Sequence, residues 1–170
     1  MHTVDGAQEV EAVARTEYRS LVRAVALSCG SLPAAEDAVQ EAFARAWERA
    51  ARGEETRHLA GWVVTVALNQ TRRVGRRDRR GDALLRSSMP VGFGRGANPV
   101  DVDEFADLHD AVKALPVRQR EVVVLHYLLG YPVAMIGELQ GVSEGAVKNA
   151  LFRARRSLAV ALGDSEGASE

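Results

Sequence analysis

GYPVAMIGELQGVSEGAVKNALFRARRSL, residues 130–158, reads as a short helix, a tight turn at Gly141-Val142-Ser143, and a second helix that grows basic toward its end. That is the layout of a helix-turn-helix, whose second helix lies in the major groove of DNA. Ser143 suits an N-cap, because its hydroxyl can accept from a backbone N–H one turn on. Glu144 favours the positive helix start, and Arg153, Arg155 and Arg156 lie further along. At 3.6 residues per turn, Val147, Leu151, Ala154 and Leu158 fall on one stripe, the side to be buried. Gly145, Asn149, Phe152 and Arg156 lie opposite, with Lys148 and Arg153 at the flanks. Asn can pair with adenine, and Lys and Arg reach guanine or phosphate. An amphipathic bundle helix with a solvated basic face would carry the same residues, and on these residues alone both readings stand. Phe152 fits neither easily. An apolar ring amid polar residues calls for a contact with another domain or with a thymine methyl.

The chain has 170 residues, room for one medium domain or two small ones. Its profile, 46% hydrophobic and only 5% aromatic, suits small helical domains. A formal net charge of −1 excludes a chain that is basic throughout, but the charge is segregated. Thr71 to Gly96 holds eight arginines against two acids. Asn98 to Asp110 holds five acids and neither Lys nor Arg, and the tail after Leu162 holds three. The single cysteine, Cys29, has no internal disulfide partner and reads as a small core residue. No Cys/His cluster has zinc spacing, so no metal and no cofactor is expected. The start reads as no signal peptide, and no apolar run is long enough for a membrane span, so a cytoplasmic protein without membrane insertion is the expectation.

The expected architecture is all-α: two small helical domains joined by a flexible linker. The divisions fall at 8–77, 78–102, 103–162 and an acidic tail at 163–170. Helical periodicity in the first domain fades by about Val74. Gly, Pro, Ser and Arg dominate from Gly75 to Val102, including Gly92, Gly94 and Gly96. Val122-Val123-Val124 is β-branched, yet it sits in a helical frame of Val117, Glu121, Val124, Leu125 and Leu128.

The first domain reads as three helices. In the first, Val10, Val13, Ala14, Leu21, Val22 and Val25 form a stripe ending before Gly30. The second, about Ala34 to Ala51 with Pro33 in its opening turn, is expected to bury Val39, Ala42, Phe43, Ala46, Trp47 and Ala50. Its other face carries Asp37, Gln40, Glu41, Ala44 and Glu48, a flat acidic ribbon. Such a ribbon is solvated by default, but it would suit a partner helix rich in Arg and Lys. The third runs from about Leu59 to Val74. It has apolar residues on two sides and a polar strip of Thr65, Asn69, Arg72 and Arg76. Arginines supply phosphate contacts and Asn can read a base edge. A basic helix end complementing the C-terminal dipole is the plainer account. The six arginines at 72, 73, 76, 77, 79 and 80 exceed what that requires.

Two pairs of segments carry a family resemblance. AAEDAVQEAFARAW (34–47), followed by GWVVTVALNQTRRVGRR (61–77), resembles region 2 of the bacterial sigma-70 superfamily of RNA polymerase sigma factors. There a D-x-x-Q-E-x-F pattern precedes a tryptophan-led helix ending in arginines. DAVKALPVRQREVVVLHYLLG (110–130), followed by GVSEGAVKNALFRARRSL (141–158), resembles region 4, with L-P-x-x-Q-R-E and S-E-G-x-V-K. Order, spacing and chain length are similar to the small extracytoplasmic-function (ECF) group. The resemblance implies that Asp37, Gln40 and Glu41 dock on a clamp helix of core polymerase, with Ala44 and Glu48 completing that face. It implies that Thr65, Asn69, Arg72, Arg73 and Arg76 meet the −10 promoter region, with the connector Glu54-Glu55-Thr56-Arg57-His58 near an extruded base. Trp62 matches a family tryptophan read as core. Ser143, Glu144, Lys148, Asn149, Phe152 and Arg153 fall at the −35 element, and the linker passes near the polymerase cleft.

The implied function is promoter-specific initiation with core RNA polymerase and promoter DNA, under an anti-sigma factor, and no catalysis. His2, His58, His109 and His126 form no site with the acids. The chain departs from the family pattern at Ala134, Met135, Ile136 and Gly137, where two acids often precede Ile-Ala. Ala150 stands where a basic residue is common, and Leu68 replaces a frequent Arg. These changes bear on the promoter sequence more than on the fold. An ordinary helix-turn-helix repressor would account for the C-terminal block alone and leave the acidic ribbon without a use.

Overall fold

The computed structural model describes residues 2–81 and 106–163, which belong to two separate units. The expectations for the linker at 82–102 and for the tail at 164–170 lie outside the described residues. All regular structure among the described residues is helical.

In the first unit, α1 (His2–Cys29), α2 (Leu32–Ala51) and α3 (Leu59–Gly81) pack pairwise against one another. The apolar stripes explain why. Val10, Leu21, Val22 and Val25 of α1 meet Val39, Ala42, Phe43 and Ala46 of α2 and Val63, Val64, Ala67 and Leu68 of α3 in one core. Each buried Val or Leu contributes about 1.5–3 kcal/mol. Ser31 caps α2, its hydroxyl accepting from the Ala34 N–H at 3.3 Å, and Pro33 sits in the first turn.

Several expectations need correction here. Helix α1 starts at His2, six residues early, and at Gly6 it already runs close to the end of α2. A Cβ at Gly6 would stand 3.3 Å from that of Ala50. Helix α3 continues to Gly81, so residues 78–81 of the expected linker are helical. Arginine is a good helix former, and positive charge is favourable at a helix C-terminus. Cys29 is half-buried rather than in the core, its thiol donating to the Ser31 carbonyl at 3.3 Å.

In the second unit, α7 (Glu144–Gly163) is the element on which α4 (Ala106–Ala114), α5 (Val117–Val123) and α6 (Val133–Gln140) all pack. Val147, Leu151 and Ala154 are its buried stripe, with Leu158 half-buried. Arg120 turns back to donate to the Lys113 carbonyl at 2.5 Å and the Leu115 carbonyl at 2.9 Å. It thereby closes the C-terminal end of α4. Glu121 is 1% exposed, a carboxylate inside the unit that its helical frame made an apolar-side position.

Helix α5 runs directly into a π-helical turn, Val124–Leu128, closed by the Leu129 N–H on the Val124 carbonyl at 3.1 Å. The extra residue in that turn rotates everything after it. Leu128, which shares the helical frame of Val124 and Leu125 in sequence, is 50% exposed where those two are buried, and Tyr127 faces solvent beside it.

Gly141 (φ 66°) takes the left-handed position that ends α6, and the Val142 N–H donates to the Gly137 carbonyl at 3.0 Å. This reversal brings backbone close to backbone: a Cβ at Gly137 would lie 2.9 Å from the Val142 oxygen. We expect Gly137→Val to destabilise this unit by about 2 kcal/mol, read as roughly 30-fold faster amide exchange in α6 and α7 with α1–α3 unchanged. Wild-type exchange in α6 and α7 would contradict the tight turn.

Candidate functional site

Three surfaces carry the candidate residues. On α2, Asp37, Gln40, Glu41, Ala44 and Glu48 are all exposed, and together they make one continuous face. The ribbon is lightly tied internally. Glu41 pairs with Arg45 at 3.0 Å, one turn on, and the Gln40 amide donates to the Tyr18 hydroxyl at 3.2 Å. Exposed pairs of this kind are worth at most about 1 kcal/mol, so the face stays open to a stronger partner.

Trp47 was expected in the core. It is 44% exposed. It follows Ala46, the centre of the buried stripe, by 100° of helix, which brings it to the stripe's edge. Three residues after Ala44 and seven after Gln40, it borders the acidic ribbon instead. This is a residue that helical periodicity placed wrongly. The signal was available in the angular position, since a large indole at a stripe edge is an interface residue as readily as a core one.

On α3, Asn69, Arg73 and Arg76 are exposed along one strip, and Arg72 beside them is half-buried. Arg72 donates to the Asn69 side-chain oxygen, which fixes the amide's direction. Thr65 is less available than its position suggests: it is half-buried and its hydroxyl donates to the Gly61 carbonyl at 2.8 Å. Trp62, read as core, is half-buried, with the Arg49 guanidinium 5.4 Å above its ring.

Between α2 and α3 the connector is ordered. Gly53 has φ 74° and His58 has φ 54°. For a non-glycine residue the left-handed conformation costs on the order of 1 kcal/mol, and it persists where the surroundings impose it. The connector walls a groove of about 650 Å³, floored by Val10, Ala46, Ala50 and Leu59. Glu54 accepts from Arg52 at 2.7 Å, and this hydrogen bond, with Arg49 nearby, holds its carboxyl below the usual carboxylate range.

On α7, the Ser143 hydroxyl accepts from the Ala146 N–H at 3.2 Å, so it is engaged as the cap. Glu144 and Lys148 approach to 3.6 Å. Lys148, Asn149, Phe152 and Arg153 are all exposed, Phe152 by 52%, and Gly145 leaves the face shallow in front of them. Arg155 points elsewhere, donating to the Tyr127 hydroxyl at 3.3 Å.

Among the described residues no three His, Cys, Asp or Glu side chains are grouped to hold a metal, and no helix is long and apolar enough to cross a membrane.

Residues 15–81 match the Sigma-70 region 2 family and residues 105–158 match Sigma-70, region 4. The ECF RNA polymerase sigma factor SigL of Mycobacterium tuberculosis is 32% identical over 137 residues, covering 78% of this chain and 77% of that one. The chain belongs to the ECF group of sigma-70 factors. The ECF sigma factor BldN of Streptomyces coelicolor is likewise 32% identical, over 96% of this chain and 66% of its own. The chain spans 41% of the length of a Xanthomonas campestris relative, 28% identical over 166 residues.

Among solved structures, the fold is similar to that of RpoE of Bartonella quintana, in complex with the anti-sigma factor NepR. The TM-score is 0.74 at 23% identity, covering 92% of this chain and 98% of that one. It is also similar to CnrH in complex with the cytosolic domain of CnrY, with a TM-score of 0.68 at 23% identity, over 95% and 93%. Sigma factors are initiation factors without catalysis of their own. The all-α, two-domain expectation therefore holds, with regions 2 and 4 in the expected order.

Proposed function

We propose that this ECF sigma factor binds core RNA polymerase through the acidic face of α2 and reads promoter DNA through α3 and α7. The observation that carries this reading is the distribution of exposure. Most polar residues of the candidate faces stand out in solvent, Thr65 and Arg72 being half-buried, while the apolar stripes beneath them are buried.

The work divides by charge. Asp37, Glu41 and Glu48 attract a basic helix, and Trp47 at their border supplies the apolar anchor that makes such contacts tight. Asn69, Arg72, Arg73 and Arg76 follow a separated −10 strand, while the connector Glu54–His58 stands beside an extruded base. Unstacking that base costs a few kcal/mol, offset by contacts within the holoenzyme. Lys148, Asn149, Phe152 and Arg153 read the −35 duplex, with Ser143 and Glu144 orienting the helix start. Thr65 contributes by shaping α3 rather than through a free hydroxyl. The domains run 8–77 and 103–162, the first with helical extensions back to His2 and on to Gly81, and the protein acts with polymerase in the cytoplasm. One structural relative is bound to an anti-sigma factor, the other to the cytosolic domain of CnrY, and an anti-sigma factor is the expected inhibitor here.

Run-off transcription with purified core polymerase tests the reading. Addition of this protein is expected to yield discrete transcripts from templates selected out of its own genome by the reconstituted holoenzyme. Core binding without any template selection would reduce the protein to a polymerase-binding module. No core binding would leave a plain DNA-binding regulator.

A further inference from the structure

Arg49, near the C-terminal end of α2, reaches three groups from three places in the chain. Its Nη1 lies 3.0 Å from the Glu54 carboxylate, its Nε donates to the Thr56 hydroxyl at 3.4 Å, and its guanidinium lies over the Trp62 ring. Glu54 opens the connector, Thr56 is at its middle, and Trp62 is in the first turn of α3. The Arg49 carbonyl adds two more ties, accepting from the N–H groups of Arg52 at 3.0 Å and Glu54 at 3.0 Å. A planar guanidinium can bond in its plane and stack on its face at once, which an ammonium cannot.

The connector it holds is bent through left-handed Gly53 and His58, a path that an untethered loop would leave. Arg52 donates to the same Glu54 at 2.7 Å, but both partners are exposed residues of the connector's own beginning. Arg49 joins that beginning to the connector's middle and to α3.

From this arrangement we infer that Arg49 is a positioning residue. It fixes the Gly53–His58 connector in the geometry that receives the −10 strand, without itself touching DNA. The inference rests on the proposed placement of the connector at the −10 element. It predicts that promoter selectivity at −10 depends on a side chain of α2 that lies off the acidic ribbon.

The test compares full-length Arg49→Gln and Arg49→Lys with wild type in three measurements. These are amide exchange across 53–62, affinity for core polymerase, and transcription from templates with intact or altered −10 sequences. Arg49→Gln is expected to raise connector exchange at least 10-fold and to cut the preference for the intact −10 sequence about 10-fold, with core affinity within twofold. Arg49→Lys keeps the charge beside Glu54 but loses the combined stacking and bonding, and should fall between the two. Unchanged exchange in Arg49→Gln would overturn the tether. Faster exchange with wild-type −10 preference would overturn the positioning role. In that last case Arg57→Ala separates the causes. If it also leaves −10 preference intact, the connector's placement at −10 fails; if it lowers the preference, only the role of Arg49 fails.

Discussion

Asp37→Lys with Glu41→Lys is expected to weaken binding to core polymerase at least about 100-fold, roughly 2.7 kcal/mol, while the protein stays folded. Both carboxylates are exposed on α2, and neither contributes to the packing of α1 and α3 beneath. Glu41 pairs with Arg45, exposed and one turn apart, a contact worth about 0.5 kcal/mol. The loss should therefore appear in binding and not in thermal stability. Reversal presents two positive charges to a basic partner, so the penalty exceeds that of removing the acids. Competition for labelled core polymerase measures it directly. Wild-type affinity in the double variant would rule out the ribbon as the docking face.

The second large effect lies at the other end of the chain. Replacing Lys148 and Asn149 by Ala should lower transcription from promoters that need a −35 element by about 100-fold, since a good base contact is worth about 1–3 kcal/mol. Core affinity should stay within twofold. Both side chains are exposed, Asn149 opposite the stripe of Val147, Leu151 and Ala154 and Lys148 at its flank, and the Glu144–Lys148 pair at 3.6 Å is exposed. On a template with a scrambled −35 element the variant and the wild type should converge. An equal fall in core binding and transcription would instead point to a misfolded second unit.

These expectations draw unequally on sequence and structure. The helix-turn-helix was legible because several local rules agree there. Val147, Leu151 and Ala154 repeat at helical spacing, Ser143 is placed to cap, and Gly141 is free to take φ 66°. The acidic ribbon was legible for the same reason, since charged side chains at helical spacing opposite an apolar stripe have nowhere to go but solvent. The partner proposed for it is not legible from its charge alone, and rests on the resemblance in the order of motifs along the chain.

Where one local rule met a competing tertiary contact, the sequence misled. Trp47 looked like core because it is large and apolar, but its angle on α2 leaves it at the edge of the packed stripe. Leu128 shares an α-helical frame with Val124 and Leu125, and the π turn at Val124–Leu128 takes it out of that frame. The first six residues of α1 carry no strong helical signal, yet they are helical, with Gly6 close to Ala50 at the end of α2. Arg49 gave no sign at all, because Glu54, Thr56 and Trp62 come together only when the chain reverses between α2 and α3.

Sequence alone determined the helices, the two-part order and the faces that remain in solvent, because periodicity and capping act within a few residues. Tertiary structure decided which edge residues are exposed, how far the helices extend and what holds the connector. Those depend on groups distant in the chain meeting at a few ångströms, where packing and charge override local preference.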